Sequence, residues 1–468
     1  MNSEYDPGNE EYQHKEKTAE RYQVVIVGGG LSGIALARHL ERAGVDYCIL
    51  DSEPLAKSQS VHYLTTKQAA QSLGLQSEYE NQVHTRIPIT GYTRFDARED
   101  GLQVLEALSP DSSRSGGFVT VSKQQIKDRA ASDGISLLGS NPVIAATQRP
   151  DTVDWELTLR NGKTTSAEII IDATGVRTRV ARLAGLVDRE MLDNRKVRYC
   201  YGAVLEYLGP EDRLFFADRF PEQADLGIRE GAGWIMPLGN KTAEVVVGWE
   251  DRLGEVGKWQ IGHPRTLLRR YCDWFAERGI MVNFNQRLEV VSGIFSQQPL
   301  DYRALEHNSN LILFGESLGL NQPLNGYLIG DIDGYARILC EEIVNRLNGR
   351  TWRPYEAIYA DHTLFGPQVV LSERKTRSVL SGVGRSAATA DLQKLLVACL
   401  SPDGLWRAID SGVPIKQILI GVVSNPKYLP VIARMGVEYL SLMLRDDLYQ
   451  REVWLKIKKR LANKNKDK

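Results

Sequence analysis

Val24-Val25-Ile26-Val27-Gly28-Gly29-Gly30-Leu31-Ser32-Gly33 is the stretch that decides the fold of this 468-residue chain. The aliphatic run reads as a buried strand and the glycines as a turn. After them comes a helix with Leu36, Leu40 and Ala43 on one face, closed by Gly44. Tyr47-Cys48-Ile49-Leu50 is a second buried strand, and Asp51 stands at its end, 23 residues after Gly28. Each part of Gly28-x-Gly30-x-x-Gly33 has a physical task. Gly28 makes the tight turn, Gly30 lets the backbone approach a pyrophosphate, and Gly33 lets the helix pack closely on the strand. The helix N-terminus then faces the phosphates, and Asp51 accepts hydrogen bonds from ribose hydroxyls. This is the pattern of a dinucleotide site in a Rossmann-type α/β domain.

Further along, Trp155 to Leu159 alternates like a half-buried strand and runs into Asn161-Gly162, read here as a tight hairpin turn with both residues at positive φ. The strand Ile169-Ile170-Ile171 leads into Asp172-Ala173-Thr174-Gly175-Val176-Arg177, and Leu311-Ile312-Leu313-Phe314 leads into Gly315-Glu316-Ser317-Leu318-Gly319, with Pro323 and Gly326 beyond. These two segments resemble the second and third flavin motifs of the FAD-dependent hydroxylase and geranylgeranyl reductase superfamily, which has the glutathione-reductase-like fold. With the glycine turn they span about 300 residues in the superfamily's order. The resemblance implies FAD, with NAD(P)H as a transient reductant or a partner reductase as electron donor.

Within that superfamily the chain looks closest to geranylgeranyl reductases. Gly231-Ala232-Gly233-Trp234-Ile235-Met236-Pro237-Leu238 is similar to their tryptophan-proline segment on the sheet over the flavin. The stretch from Asp391 to Asn425-Pro426 is similar to their helical tail. Four positions depart from the pattern. Ala232 stands where those reductases have tyrosine, and Lys57 to Tyr63 replaces their cysteine-glycine-glycine segment. Glu316 replaces the aspartate that holds the flavin's ribityl chain, and Gly326-Tyr327-Leu328 replaces Gly-x-Gly. A glycine followed by tyrosine at that point resembles lycopene cyclases, which bind FAD without net redox change.

The resemblance places around the cofactor Gly28, Gly30, Leu31, Ser32, Gly33, Asp51 and Ser52 from the first unit, then Lys123, Ala173, Thr174 and Gly175. From the third motif it adds Gly315, Glu316, Pro323, Gly326, Tyr327 and Leu328. Trp234 and Pro237 are expected to line the substrate pocket. For catalysis only Glu316 and Asp331 stand out, by neighbourhood alone.

The expected domains are a polar tail over 1–21, an FAD-binding domain over 22–190 and 300–350 with an excursion near 60–117, a sheet-rich substrate domain over 191–299, and a helical region over 351–468. Six acids and three bases with almost no aliphatic residues leave the tail nothing to bury, so it is expected to be disordered. Net charge of -1 and a pI near 6.7 give no footprint for nucleic acid. Five scattered cysteines without a CxxC pair point to a reducing cytoplasm, and seven histidines without HxH or HxxxH spacing argue against a metal. No GxSxG elbow and no Walker loop occur, which sets aside the common hydrolase and phosphoryl-transfer chemistries. Residues 451–468 hold eight bases against two acids, with Trp454, Ile457 and Leu461 at helical spacing. That segment reads either as a solvated terminal helix or as a peripheral contact with an anionic membrane.

The expectation is therefore an FAD-dependent oxidoreductase acting on a small lipophilic substrate, isoprenoid-like or a specialised metabolite, favouring reduction of a C=C bond. A flavin monooxygenase or halogenase, and a redox-neutral cyclase, remain open alternatives, because one scaffold hosts all of them.

Overall fold

The computed structural model describes residues 21–55, 61–66, 70–71, 73–75, 91–98, 101–108, 118–149, 152, 154–218, 231–255, 262–284, 289–296, 300, 310–320 and 329–352, with isolated residues between 420 and 433. Strand β1 (Arg21–Val27) feeds helix α1 (Leu31–Arg42), and β2 (Tyr47–Leu50) follows. Next come β3 (His62–Thr66), β4 (Gly91–Arg98), β5 (Gly101–Leu108) and β6 (Phe118–Ser122), then helix α2 (Lys123–Ser132). The chain continues through β7 (Leu137–Leu138), β8 (Val143–Gln148), β9 (Trp155–Leu159) and β10 (Thr164–Asp172), and through two short helices, α3 (Arg179–Leu183) and α4 (Arg189–Asp193). Strands β11 (Lys196–Tyr207), β12 (Arg213–Asp218), β13 (Gly231–Gly239) and β14 (Thr242–Arg252) precede helix α5 (Gly262–Ala276). The described elements end with β15 (Val282–Asn283), β16 (Glu289–Ser296), β17 (Leu311–Leu313) and helix α6 (Ile329–Leu347).

The first sheet runs β7, β2, β1, β10, with every pair parallel. Strand β10 shares its far edge between two partners: Thr164 to Ala167 pair antiparallel with β9, and Ile170 to Asp172 pair parallel with β17. One long strand thus brings the second and third motifs side by side from positions some 140 residues apart, at the carboxyl ends of parallel strands where α/β sheets bind ligands. The strands are aliphatic throughout because both faces are covered; Val24, Val25, Ile26, Ile169, Ile170 and Ile171 are fully buried.

Two local readings change. Ala43 is exposed at the C-cap of α1, outside the buried face. In the β9–β10 hairpin only Gly162 has positive φ, at 82°. The loop is instead Arg160-Asn161-Gly162, closed by Gly162 N–H donating to Leu159 O and Leu159 N–H donating to Lys163 O. This is a three-residue loop with glycine in the left-handed position, one residue longer than a two-residue turn.

The second sheet runs β15, β11, β14, β13, β12, β4, β5, with β16 also on β11. Strands β4 and β5 come from the stretch read as an excursion and join it through parallel pairing of β4 with β12. One face packs on α5: Leu205, Ile235, Val245, Val247 and Trp249 meet Leu268, Tyr271, Cys272 and Phe275 in a closed core. Gly233 admits that helix, because a Cβ there would lie 2.4 Å from the Tyr271 ring. Strand β1 begins at Arg21, one residue inside the stretch read as tail, where its guanidinium pairs with Asp154 at 3.0 Å.

Candidate cofactor and substrate site

The glycine turn has the geometry its sequence demands. Gly28 sits at φ 117°, and a Cβ on it would come 2.3 Å from Ala173 O, so only glycine lets β1 and the second motif touch. A Cβ on Gly33 would stand 2.1 Å from Gly28 O, so α1 packs directly on the turn. At Gly30 a Cβ would meet nothing within 4 Å. Gly30 is also the N-cap of α1 and offers no side chain to the first amides, so Leu31 and Ser32 begin a helix whose N-terminus opens onto that space. An open cradle beside free amides fits a pyrophosphate.

Asp51 ends β2 buried, its Oδ1 accepting from Glu53 N at 3.2 Å. Its Oδ2 carries no directed hydrogen bond, lies 2.7 Å from Lys127 Nζ, and would touch a Cβ on Gly29 at 2.5 Å. A buried carboxylate oxygen beside the turn, paired in charge with Lys127 and still able to accept a hydrogen bond, fits a ribose hydroxyl. Lys123, from the expected set, reaches Glu53 Oε2 at 2.7 Å, and Lys127 reaches the same oxygen at 3.1 Å. Burial works against the Glu53 charge, yet the two lysines hold its carboxyl below the ordinary range. Ser52 is exposed. Lys127 escaped sequence reading, although it follows Lys123 by one turn on a helix announced by the capping box Ser122 to Gln125.

The second and third motifs form one hydrogen-bonded unit. Asp172, fully buried, accepts from Thr174 N and Oγ1 through Oδ1, and from Val180 N and Ala181 N through Oδ2. Burial raises its pKa, and those bonds offset part of the rise. Buried Arg195 donates to Val176 O, Ser317 O and Glu316 O, tying Gly175–Arg177 to Gly315–Ser317. The resemblance assigned Glu316 to the ribityl chain. Its Oε1 accepts from Ser296 N of β16 at 3.0 Å, and its Oε2 lies near Gly175, where a Cβ would stand 3.4 Å away. Oε2 is therefore the oxygen left for a ligand. Burial pushes the Glu316 carboxyl up to about 7, against the opposing pull of the Ser296 amide and Arg195.

On the second sheet, Trp234 pairs with Val246 and Met236 with Glu244, while Ile235 pairs with Val245 in the α5 core. Strand alternation puts Trp234, Met236, Val246 and Glu244 on the face turned away from α5. Pro237 pairs with Ala243, a member of the α5 core, so it falls on the face opposite Trp234, contrary to the expectation that the two line one surface. Buried Glu244 accepts from His62 N at 3.2 Å and lies 2.8 Å from His62 Nδ1, linking β14 to β3. Neither residue was singled out from sequence. Asp331 lies in α6. Pro323, Gly326, Tyr327 and Leu328 lie outside the described residues, as does the basic stretch 451–468. Among the described residues no group of three His, Cys, Asp or Glu side chains could hold a metal, and no helix is long and apolar enough to cross a membrane.

Residues 21–200 match a family model described as FAD binding domain. This chain is an FAD-binding protein. The match covers β1 through the start of β11, including the glycine turn, Asp51 and the second motif. A menaquinone reductase from Mycolicibacterium smegmatis is 26% identical over 316 residues, 65% of this chain and 72% of the relative. A geranylgeranyl bacteriochlorophyll reductase-like structure from Thermoplasma acidophilum superposes with a TM-score of 0.65 at 15% identity, over 90% of this chain and 99% of that one. A probable FAD-dependent monooxygenase from Pseudomonas aeruginosa superposes with a TM-score of 0.52 at 15% identity, over 80% of this chain and all of the other. The fold is shared with these FAD-dependent enzymes, and the match over residues 21–200 makes the chain a flavoprotein.

Proposed function

We propose that this flavoprotein reduces a C=C bond in an apolar, isoprenoid-like substrate, with electrons from NAD(P)H or a partner reductase. The observation that carries the reading is the sheet face bearing Trp234, Met236 and Val246. It is the face opposite the α5 core, and the same face sends Glu244 to His62 next to the nucleotide-binding half. Bound FAD supplies two-electron hydride chemistry. The chain's own task is to bind, orient and keep water out. In this reading Gly28, Gly30 and Gly33 seat the pyrophosphate, Asp51 takes the ribose, and Glu316 Oε2 with Gly175 faces the ribityl chain. The Trp234 ring offers a flat apolar surface to a prenyl chain, and Met236, with its adaptable thioether, fills the space beside it. A relative that acts on menaquinone supports a lipophilic substrate. The basic stretch 451–468 is the segment put forward to hold the enzyme against an anionic membrane in which such a substrate dissolves.

The test is anaerobic. The purified holoprotein is bleached with NADPH and then offered menaquinone in detergent micelles, with geranylgeranyl lipids in parallel. Reoxidation of the flavin together with a product that stays two hydrogens heavier after any quinol has been reoxidised in air is the expected result, since only a reduced C=C bond keeps the added hydrogens. Turnover only in air, with oxygen or halide entering the product, would overturn the reading in favour of a monooxygenase or halogenase. Conversion with no change in flavin redox state would favour a redox-neutral cyclase.

A further inference from the structure

Lys127 is only 2% exposed, although it stands in α2, a helix whose neighbouring lysine at position 123 remains partly open. An ammonium group taken out of water is tolerated only when a counter-charge lies close by. Two are present: Asp51 Oδ2 at 2.7 Å and Glu53 Oε2 at 3.1 Å. Their needs differ. Glu53 is also paired by Lys123 at 2.7 Å, whereas among the described residues Asp51 has Lys127 as its single cationic partner. The contact with Asp51 is one of charge, since Oδ2 receives no directed hydrogen bond and keeps its acceptor capacity. The other oxygen, Oδ1, is fixed by the Glu53 amide. The carboxylate lies so near the turn that a Cβ on Gly29 would come within 2.5 Å of Oδ2.

We propose that Lys127 is a positioning residue of the cofactor site: it compensates the Asp51 charge in a buried setting and pins the carboxylate against the glycine turn, so that Oδ2 accepts from a ribose hydroxyl of the adenosine half of FAD. No bond to the cofactor is assigned to Lys127 itself. The inference is independent of the reaction put forward above and rests on the FAD site alone. A lysine four residues after Lys123 would otherwise be read as one more surface charge; its burial against Asp51 is what separates the two.

The experiment titrates apoprotein with FAD, with FAD analogues lacking the 2′- or 3′-hydroxyl of the adenosine ribose, and with FMN, following flavin fluorescence. Wild type is expected to prefer FAD over at least one deoxy analogue by about tenfold, the worth of a hydrogen bond to a charged acceptor. In Lys127→Met, which keeps the apolar length of the side chain, FAD is expected to bind about tenfold more weakly. The FAD-to-deoxy ratio should fall to about one, with FMN binding unchanged. Lys127→Arg retains the charge and should recover part of the ratio. Should Lys127→Met fail to fold, Lys127→Gln, which keeps a polar head of similar reach without the charge and leaves Asp51 in place, is expected to show the same loss of discrimination. An intact ratio in either variant overturns the proposal. Equal weakening toward FAD, the deoxy analogues and FMN overturns it too, because a purely structural lysine would act on all of them alike.

Discussion

Glu244 Oε2 and His62 Nδ1 lie 2.8 Å apart, joining β14 of the eight-stranded sheet to β3, and the same oxygen accepts from the His62 backbone amide at 3.2 Å. Burial raises the Glu244 pKa, and the contacts with His62 oppose the rise. Removing one partner of such a pair leaves the other buried without compensation, which is worth more than the pair's own net contribution. Glu244→Ala and His62→Ala are each expected to destabilise the protein by about 2 to 4 kcal/mol. The double variant should lose less than the sum, with a coupling of about 1 to 3 kcal/mol. Urea unfolding of the four proteins, with flavin fluorescence reporting the cofactor site, measures the cycle. Strict additivity would show that the contact does not join the two sheets energetically.

Gly30 and Gly33 separate cofactor binding from folding. At Gly33 a side chain collides with Gly28 O, so Gly33→Ala is expected to cost about 1 to 3 kcal/mol through forced backbone displacement, and to lose FAD as well. At Gly30 a side chain meets open space, so Gly30→Val should melt near the wild-type apoprotein while failing to purify yellow. Thermal melting of the apo forms beside flavin occupancy tests the pair. A Gly30→Val protein with full flavin would mean that the pyrophosphate does not occupy the cradle.

The glycine turn was legible because its requirements are local: a close approach between residues five apart in sequence excludes a Cβ, and only glycine satisfies it. The parallel strands were legible for a similar reason, since burial on both faces writes an unbroken aliphatic run. What escaped reading was long-range or hidden in alternation. His62 and Glu244 are 182 residues apart, and neither stands in a motif. Lys127 lies one turn from Lys123 on the same face of α2 and shares Glu53 with it; what separates them is the further reach of Lys127 to Asp51, which spacing does not show. Pro237 could have been assigned by counting: it keeps the parity of Gly233 and Ile235, so a strand reading of the segment already places it opposite Trp234.

Trp234 lies on the face away from α5 and is partly exposed, while Ile235 beside it is fully buried in the α5 core. Trp234→Phe is therefore expected to change the unfolding free energy by no more than about 0.5 kcal/mol while changing flavin environment or acceptor turnover, as for a position outside the core. Ile235→Ala should cost about 2 to 5 kcal/mol, as large-to-small core changes do. Calorimetry of both variants decides the matter. A loss of stability at Trp234 comparable to that at Ile235 would assign the indole to the core.

Glu316 ties stability to pH at the point where the third motif meets β16. Burial raises its carboxyl from 4.5 to about 7, so the folded state holds a proton that the unfolded chain has already released over that interval. The sign follows from linkage: where the native state binds more protons, stability falls as pH rises. The contribution from Glu316 is therefore fully favourable below about 4.5, declines between about 4.5 and 7, and levels off above. At 1.36 kcal/mol per pKa unit the span is at most about 3 kcal/mol, and the residue's partial exposure to solvent reduces it. Glu316→Gln keeps a neutral acceptor for the Ser296 amide and removes the ionisation. It is expected to flatten the stability profile between pH 5 and 7 and to leave the variant more stable than wild type at pH 8. Unfolding curves of the apoprotein at several pH values test this. Parallel profiles for wild type and Glu316→Gln would show that the carboxyl ionises in the folded protein as it does in water. The same variant reads the cofactor: if Oε2 serves the ribityl chain, Glu316→Gln should weaken FAD most at pH 8, where wild type is ionised, and least at pH 5, where both carry a neutral side chain.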